Sequence, residues 1–389
     1  MTDPFLTSGK DKRVSTTTQF DLRAASDAII ERGQQTATRT DGGFPHYADM
    51  ASGEWTLSPD GDWTGGFFVG QLWLAAAAGK GDVGKAARWA EKLRPRISSD
   101  TFFRGFLFWY GAALGSELLG HRRSRELALE GALALADSFH PVAGLLPLGS
   151  AAEEAHSVGL NETNIDGVPG GAPLLYWAAD VTGDDSLREK ARSHVARHVE
   201  LLVRADGSVV QSATFDPSDG SLVRTYTHKG VRDDSTWARA QAWGMLGLAQ
   251  AAQREPTVFA ADAMRVCDWW CAHLPARRVA YWDFDAPEHE SDPLLDTSAT
   301  TIAAASLLKM RRISPERADV YGKVAREMVE AVVDRHVSRA GGDRPSGIVG
   351  DACYNRRIGL ATQNELVWGS YFLLESLLTL TGQVDSANL

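Results

Sequence analysis

Residues 227–243 read Thr-His-Lys-Gly-Val-Arg-Asp-Asp-Ser-Thr-Trp-Ala-Arg-Ala-Gln-Ala-Trp. A dense polar run leads into an apolar stripe: Trp237, Ala240, Gln241, Gly244 and Leu248 share one face, and Ala251 and Ala252 continue it. That spacing predicts a helix over 235–253, with the Ser235 hydroxyl placed to cap it. On such a helix the strict i, i+4 neighbours of Arg239 are Ser235 and Trp243. An arginine among tryptophans suits an apolar core poorly. It suits a site that holds a carboxylate beside a stacked sugar ring.

The same order, polar cluster and then apolar helix, recurs along the chain. Helical patterns are predicted near 20–36, 66–80, 83–97, 103–120, 122–139, 170–182, 185–204, 235–253, 257–274, 297–312, 314–337 and 363–382. Strand signals are few. Residues 208–228 read as a hairpin around Pro217-Ser218-Asp219-Gly220, and a short strand or loop is expected near 279–285. Twelve helices in consecutive pairs, with no Pro/Ser-rich divider, suggest an all-α (α/α)6 toroid of six helical hairpins with short β-hairpin insertions. Two separate helical bundles are the alternative. No tight internal repeat is visible, so the toroid rests on helix count and on the resemblance described below. Residues 1–18 read as a flexible polar tail and 19–389 as one domain.

Other clusters precede other helices. Asp62-Trp63-Thr64-Gly65-Gly66-Phe67 sets paired glycines beside aromatics, where backbones can approach closely and an aromatic face can stack on a sugar. Asn161-Glu162-Thr163-Asn164-Ile165-Asp166 places two carboxylates and two amides just before an apolar helix. Asp166 there is either a simple cap or an acid aimed into a toroid mouth. Asp296 reads as a cap for the helix that follows it. In a toroid such loops converge at one end, where loop-borne function sits.

Composition narrows the classes. The 389 residues are 44% hydrophobic and 23% charged, ordinary for a soluble globular chain, and the formal net charge of −10 argues against broad nucleic-acid binding. Cys267 and Cys271, four apart, read as two reduced thiols on a helix rather than a metal pair, and no metal site is expected. The polar start has no apolar signal core, and no run long enough to span a membrane is present, so a cytoplasmic location is expected.

Read together, WTGGFFVGQLWLA (63–75), GFLFWYGAAL (105–114), ALADSFHPVAGLLPL (134–148), PLLYWA (173–178), FDPSDG (215–220), the run at 227–243, WDFDAP (282–287), DTSATTIAAASLL (296–308) and WGSYFLLESL (368–377) resemble the unsaturated glucuronyl hydrolases, glycoside hydrolase family 88. The similarity spans roughly 20–385. The resemblance implies an (α/α)6 barrel, an acidic oligosaccharide substrate and no cofactor. It implies removal of a 4,5-unsaturated uronic acid from the non-reducing end by hydration of a vinyl ether: an Asp protonates C4, water adds at C5, and the hemiketal collapses to release the sugar. An acid for that step stays protonated near working pH, which burial or a neighbouring negative charge achieves.

By the resemblance, Asp166 is the leading acid/base, with Glu162 second. Trp63, Arg104, Gln211, His228, Lys229, Trp237, Arg239 and Trp243 are the substrate-binding candidates. The chain departs from the family pattern in several places. Asp166 stands about one residue further from Pro173 than usual, and Gly171 replaces the usual Asn. Lys229 replaces Gln, and Gln211 replaces His. The usual His-Asp-x-Gly-Phe, with a second important acid, reads Phe102-Phe103-Arg104-Gly105-Phe106. Two alternatives follow: another enzyme for acidic sugars on the same toroid, either a glycosidase with Asp166 paired to Glu162, Asp62 or Asp233 or a lyase with His228 as base and Lys229 or Arg239 neutralising charge, or a sugar-binding protein without catalysis.

Overall fold

Some helices are apolar all round and others only along one stripe, and this difference sorts them into two layers. The computed structural model describes residues 21–39, 43–286 and 294–389, so the tail expected over 1–18 lies outside the described residues. The helices are α1 (Leu22–Arg39), α2 (Gly65–Ala77), α3 (Val83–Glu91), α4 (Arg104–Phe108), α5 (Leu114–Leu119), α6 (Arg122–Ala136) and α7 (Ala155–Val158), followed by α8 (Gly167–Thr182), α9 (Asp185–Leu202), α10 (Ala238–Arg254), α11 (Pro256–His273), α12 (Thr297–Ile313), α13 (Ala318–His336) and α14 (Val367–Leu380). A π-helical turn, Trp109–Ala113, joins α4 and α5 into one rod.

Helix α2 buries every residue from Gly65 to Ala76, and α14 every residue from Val367 to Leu378. By contrast α13 buries Tyr321, Ala325, Met328, Val329, Val332 and Val333, a single stripe. The all-buried helices form an inner ring. Helix α2 packs on the α4–α5 rod, the rod on α8, α8 on α10, α10 on α12, α12 on α14, and α14 returns to α2. The striped helices α1, α3, α6, α9, α11 and α13 stand outside, each packed on an inner neighbour. Along the chain outer and inner alternate, which is the (α/α)6 toroid.

Glycine sets the spacing at one end. A Cβ on Gly105 would lie 1.6 Å from the Gly170 carbonyl oxygen, and one on Gly66 would lie 2.2 Å from that of Phe106. The starts of α2, α4 and α8 therefore meet backbone to backbone, which only glycine permits. Two antiparallel sheets border the ring. Strands β1 (Phe44–Ala48), β2 (Trp55–Ser58) and β6 (Glu365–Leu366) run in the order β2-β1-β6, and β3 (Glu162–Asn164), β4 (Ser212–Phe215) and β5 (Leu222–Tyr226) in the order β3-β4-β5. The β4–β5 hairpin falls where expected, with Gly220 at φ 75° in its turn. The segment near 279–285 forms two isolated bridges, Tyr281 with Leu295 and Trp237 with Asp283.

The helix expected from Ser235 begins instead at Ala238, because the Ser235 hydroxyl is engaged with Asp283 Oδ2 at 2.7 Å. Asp296 does cap α12, accepting from the amides of Ser298 and Ala299. Among the described residues no helix is long and apolar enough to cross a membrane.

Candidate active site

Strand β3 runs directly into α8, and the link carries Asp166. The residue has helical angles (φ −60°, ψ −25°) at the cap position, yet its side chain makes no capping hydrogen bond. Asp166 is buried, and its Oδ1 atom has no hydrogen-bond partner. Burial pushes its pKa up to about 7; Glu154 adds to the rise, while Lys229 and Arg239 oppose it. A carboxyl with that value is partly protonated at neutral pH, as a proton donor to carbon requires.

Lys229 is the cation that acts most strongly on this acid, and neighbouring side chains fix it. Its backbone amide donates to Gln211 Oε1 at 2.9 Å, and its ammonium stands 3.7 Å from Glu154 Oε2. Asn164 Nδ2 donates to the other oxygen of Glu154 at 3.1 Å, leaving Asn164 Oδ1 unpartnered. His228 is held between Ser212 Oγ at 3.0 Å and Gln211 Nε2 at 3.3 Å. Burial, with Lys229 beside it, pushes His228 well below the usual histidine range, so its ring is neutral.

Aromatic rings and a buried arginine wall the far side. The Arg239 guanidinium lies 4.3 Å from the Trp237 ring centre. It pairs with Asp296 at 2.7 Å and donates to the carbonyls of Cys353 and Tyr354. Asp296 thus caps α12 with one oxygen and holds Arg239 with the other. Arg239 in turn fixes the loop that presents Tyr354. The Tyr354 hydroxyl donates to Glu153 Oε2, which also accepts from Trp63 Nε1 at 3.2 Å. Trp63 packs on Trp368 with ring centres 4.7 Å apart and on Phe103 at 5.7 Å. His46 faces Trp63, Tyr354 and Trp368 with Nε2 unpartnered, and burial pushes its pKa down to about 4. Asp62 adjoins this group at φ 42°, and burial followed by Glu153 raises it to about 6. The result is a buried acid, one ammonium and a wall of ring faces, a combination fit to orient an anionic sugar.

No family model matches the chain. The unsaturated glucuronyl hydrolase of Bacillus sp. strain GL1 is 32% identical over 348 residues, spanning 87% of this chain and 90% of that one. This chain belongs to the unsaturated glucuronyl hydrolases. An unsaturated chondroitin disaccharide hydrolase from Streptococcus pneumoniae is 25% identical across 82% of the chain and 81% of its own length. The crystal structure of an unsaturated glucuronyl hydrolase from Bacillus sp. GL1, described as responsible for the degradation of glycosaminoglycan, superposes with a TM-score of 0.83 at 28% identity. It covers 92% of this chain and 96% of that one. As members of this family are glycoside hydrolases releasing unsaturated uronic acid from oligosaccharides, this chain is a glycoside hydrolase of that kind.

In this unsaturated glucuronyl hydrolase the structure gathers Asp166, Gln211, His228, Lys229, Trp237 and Trp63 around one site. It does not bring three other candidates there. Arg104 points away: its guanidinium donates to the carbonyls of Thr101 at 3.2 Å and Ile97 at 2.8 Å and to Ser138, clamping the start of α4. Both oxygens of Glu162 are taken within its own sheet, by Thr214 at 2.5 Å and Tyr226 at 3.0 Å. Trp243 packs among Phe67, Phe106 and Phe372 in the core. Arg239 lies over Trp237, Tyr354 and Trp368, because the turn that ends at Trp237 aims its side chain back toward the loop of Cys353 and Tyr354.

Sequence reasoning missed Glu153, Glu154, His46 and Tyr354. Glu153 and Glu154 sit in Ala-Ala-Glu-Glu-Ala, which reads as a solvated turn, and strand β1 is too short to show a period. The one available signal was a pair of adjacent acids in a net-apolar approach to β3. Among the described residues no cluster of three or more His, Cys, Asp or Glu could hold a metal ion.

Proposed function

We propose that residues 19–389 act as one catalytic domain that hydrates the vinyl ether of a 4,5-unsaturated uronic acid, with Asp166 as both acid and base. The observation that carries this assignment is the buried, unpartnered Oδ1 of Asp166, with its pKa pushed up to about 7, beside Lys229. The protonated carboxyl gives its proton to C4. The positive charge that develops is shared between C5 and the ring oxygen. Water adds to C5 and returns a proton to Asp166, restoring the acid. The C5 hemiketal then opens, and the sugar leaves from the anomeric carbon as an alcohol. The net change is addition of one water molecule. Trp63 and Trp237 supply ring faces, Lys229 supplies positive charge, and Arg239 acts through the Tyr354 loop.

Which sugar follows the unsaturated residue is part of the same proposal. The relatives named for glucuronyl and chondroitin disaccharide substrates support a glycosaminoglycan-type disaccharide. A cytoplasmic location is proposed too, supported by the free thiols of Cys267, Cys271 and Cys353.

The test compares an unsaturated uronyl disaccharide with its saturated counterpart. Hydration needs the C4=C5 bond, so only the unsaturated sugar is consumed, with loss of its ultraviolet absorbance. Cleavage of the saturated disaccharide would replace this reading with displacement at the anomeric carbon, which uses two opposed carboxylates. A rise in absorbance from a longer acidic chain would identify a lyase.

A further inference from the structure

Glu153 is an exposed residue whose carboxylate nevertheless turns inward. Four groups act on that carboxylate. The Trp63 indole and the Tyr354 hydroxyl both donate to Oε2, and His46 and Lys229 are its electrostatic partners. Burial alone would raise its pKa, but Lys229, Tyr354, His46 and Trp63 outweigh burial and hold it below the usual range. The site is thus built to stabilise an anion at this point. Lys229 also borders Asp166. A ring whose C4 rests on Asp166 carries its carboxylate on C5, the adjacent atom, and so within the reach of the same ammonium.

We infer that Trp63, Tyr354, His46 and Lys229 form the subsite for the substrate's carboxylate, and that Glu153 occupies it until the substrate displaces it. This inference rests on the vinyl-ether hydration reading. Glu153 is then a specificity residue. A ligand with a carboxylate at this position replaces one anion with another, whereas a neutral ligand would leave the Trp63 and Tyr354 donors without an anion to bond. Unpaired buried donors are costly, so neutral sugars are rejected.

The test uses the full chain carrying Asp166→Asn, in which substrate stays intact. Binding of an unsaturated uronyl disaccharide and of its methyl ester is measured by calorimetry with and without Glu153→Ala. The inference expects Glu153→Ala to tighten the acid roughly tenfold, equivalent to about 1.4 kcal/mol, and to leave the ester nearly unchanged. Glu153→Gln, which keeps the acceptor but loses the charge, falls between. Adding Tyr354→Phe to Glu153→Ala weakens the acid and spares the ester. Unchanged or weaker acid binding in Glu153→Ala overturns the inference. Equal tightening of acid and ester also overturns it, because the loop would then be a steric plug. Should the chain with native Asp166 fail to consume the unsaturated disaccharide, the hydration reading falls, while the binding comparison still decides whether Glu153 competes with a carboxylate.

Discussion

An ordinary aspartate has lost its proton well below neutrality, whereas Asp166 keeps its proton up to about pH 7. Two consequences follow at this residue. The proton-donor form disappears as pH rises through about 7, so kcat/KM should fall about tenfold per unit above that point, as a pH–rate profile would show. The second concerns stability. The folded value exceeds the unfolded value of 3.8, so the native protein holds the extra proton between about pH 4 and pH 7. Wild-type stability associated with Asp166 is therefore full below pH 4 and lost as pH rises through 7. Asp166→Asn removes that loss. Thermal unfolding should find the variant more stable at pH 8, by up to about 4 kcal/mol, with little difference at pH 4. Equal shifts at both pH values would mean that the carboxyl is not strained. Asp166 was legible as a candidate, because two carboxylates and two amides precede an apolar helix there and the resemblance places the acid at this position. Its lack of a capping bond was not, since that depends on where the side chain turns.

Element packing explains what the candidates outside the site are doing. Arg104 bonds three groups around the start of α4. Arg104→Ala should lower the melting temperature, while KM of the folded enzyme stays within about twofold of wild type; a large rise in KM would return Arg104 to the site. Gly105→Ala places a methyl group against the α8 backbone, so α4 and α8 are forced apart. Such overpacking costs about 1–3 kcal/mol or more, readable by denaturant melts. Between α12 and α14, Lys309 pairs with Glu375 at 2.6 Å, both buried. Lys309→Met alone should lose about 3–5 kcal/mol, and adding Glu375→Leu should recover most of it. The long helices were readable because each runs for several turns, striped where it is outer and apolar throughout where it is inner. Strands β1, β2, β3 and β6, of two to five residues, were not. They exist because the loops beside the inner helices pair with one another, a tertiary effect that local pattern does not encode.

At the scale of the whole molecule, six inner helices bring their N-terminal loops to one end, and residues far apart in sequence meet there. Trp63 and Tyr354 lie 291 positions apart yet share Glu153. That convergence is why clusters such as 227–243 announced a site, and why Glu153, Glu154 and His46 stayed hidden: the two acids lie in a turn and His46 in the short strand β1, segments with no chemistry of their own until the ring closes. By the resemblance the carboxylate missing at Phe103 is legible in the sequence, and so is Asp62 beside Trp63, but Glu153, which bonds the same tryptophan, emerges only from the fold. The central claim is that Asp166 protonates the C4=C5 bond. The most direct test follows the ultraviolet absorbance of an unsaturated uronyl disaccharide with wild type and Asp166→Asn, after circular dichroism has shown both to be folded. The account predicts steady loss of absorbance with wild type and at least about a thousandfold slower loss with the variant, a barrier increase of about 4 kcal/mol. Near-wild-type loss with Asp166→Asn would contradict it.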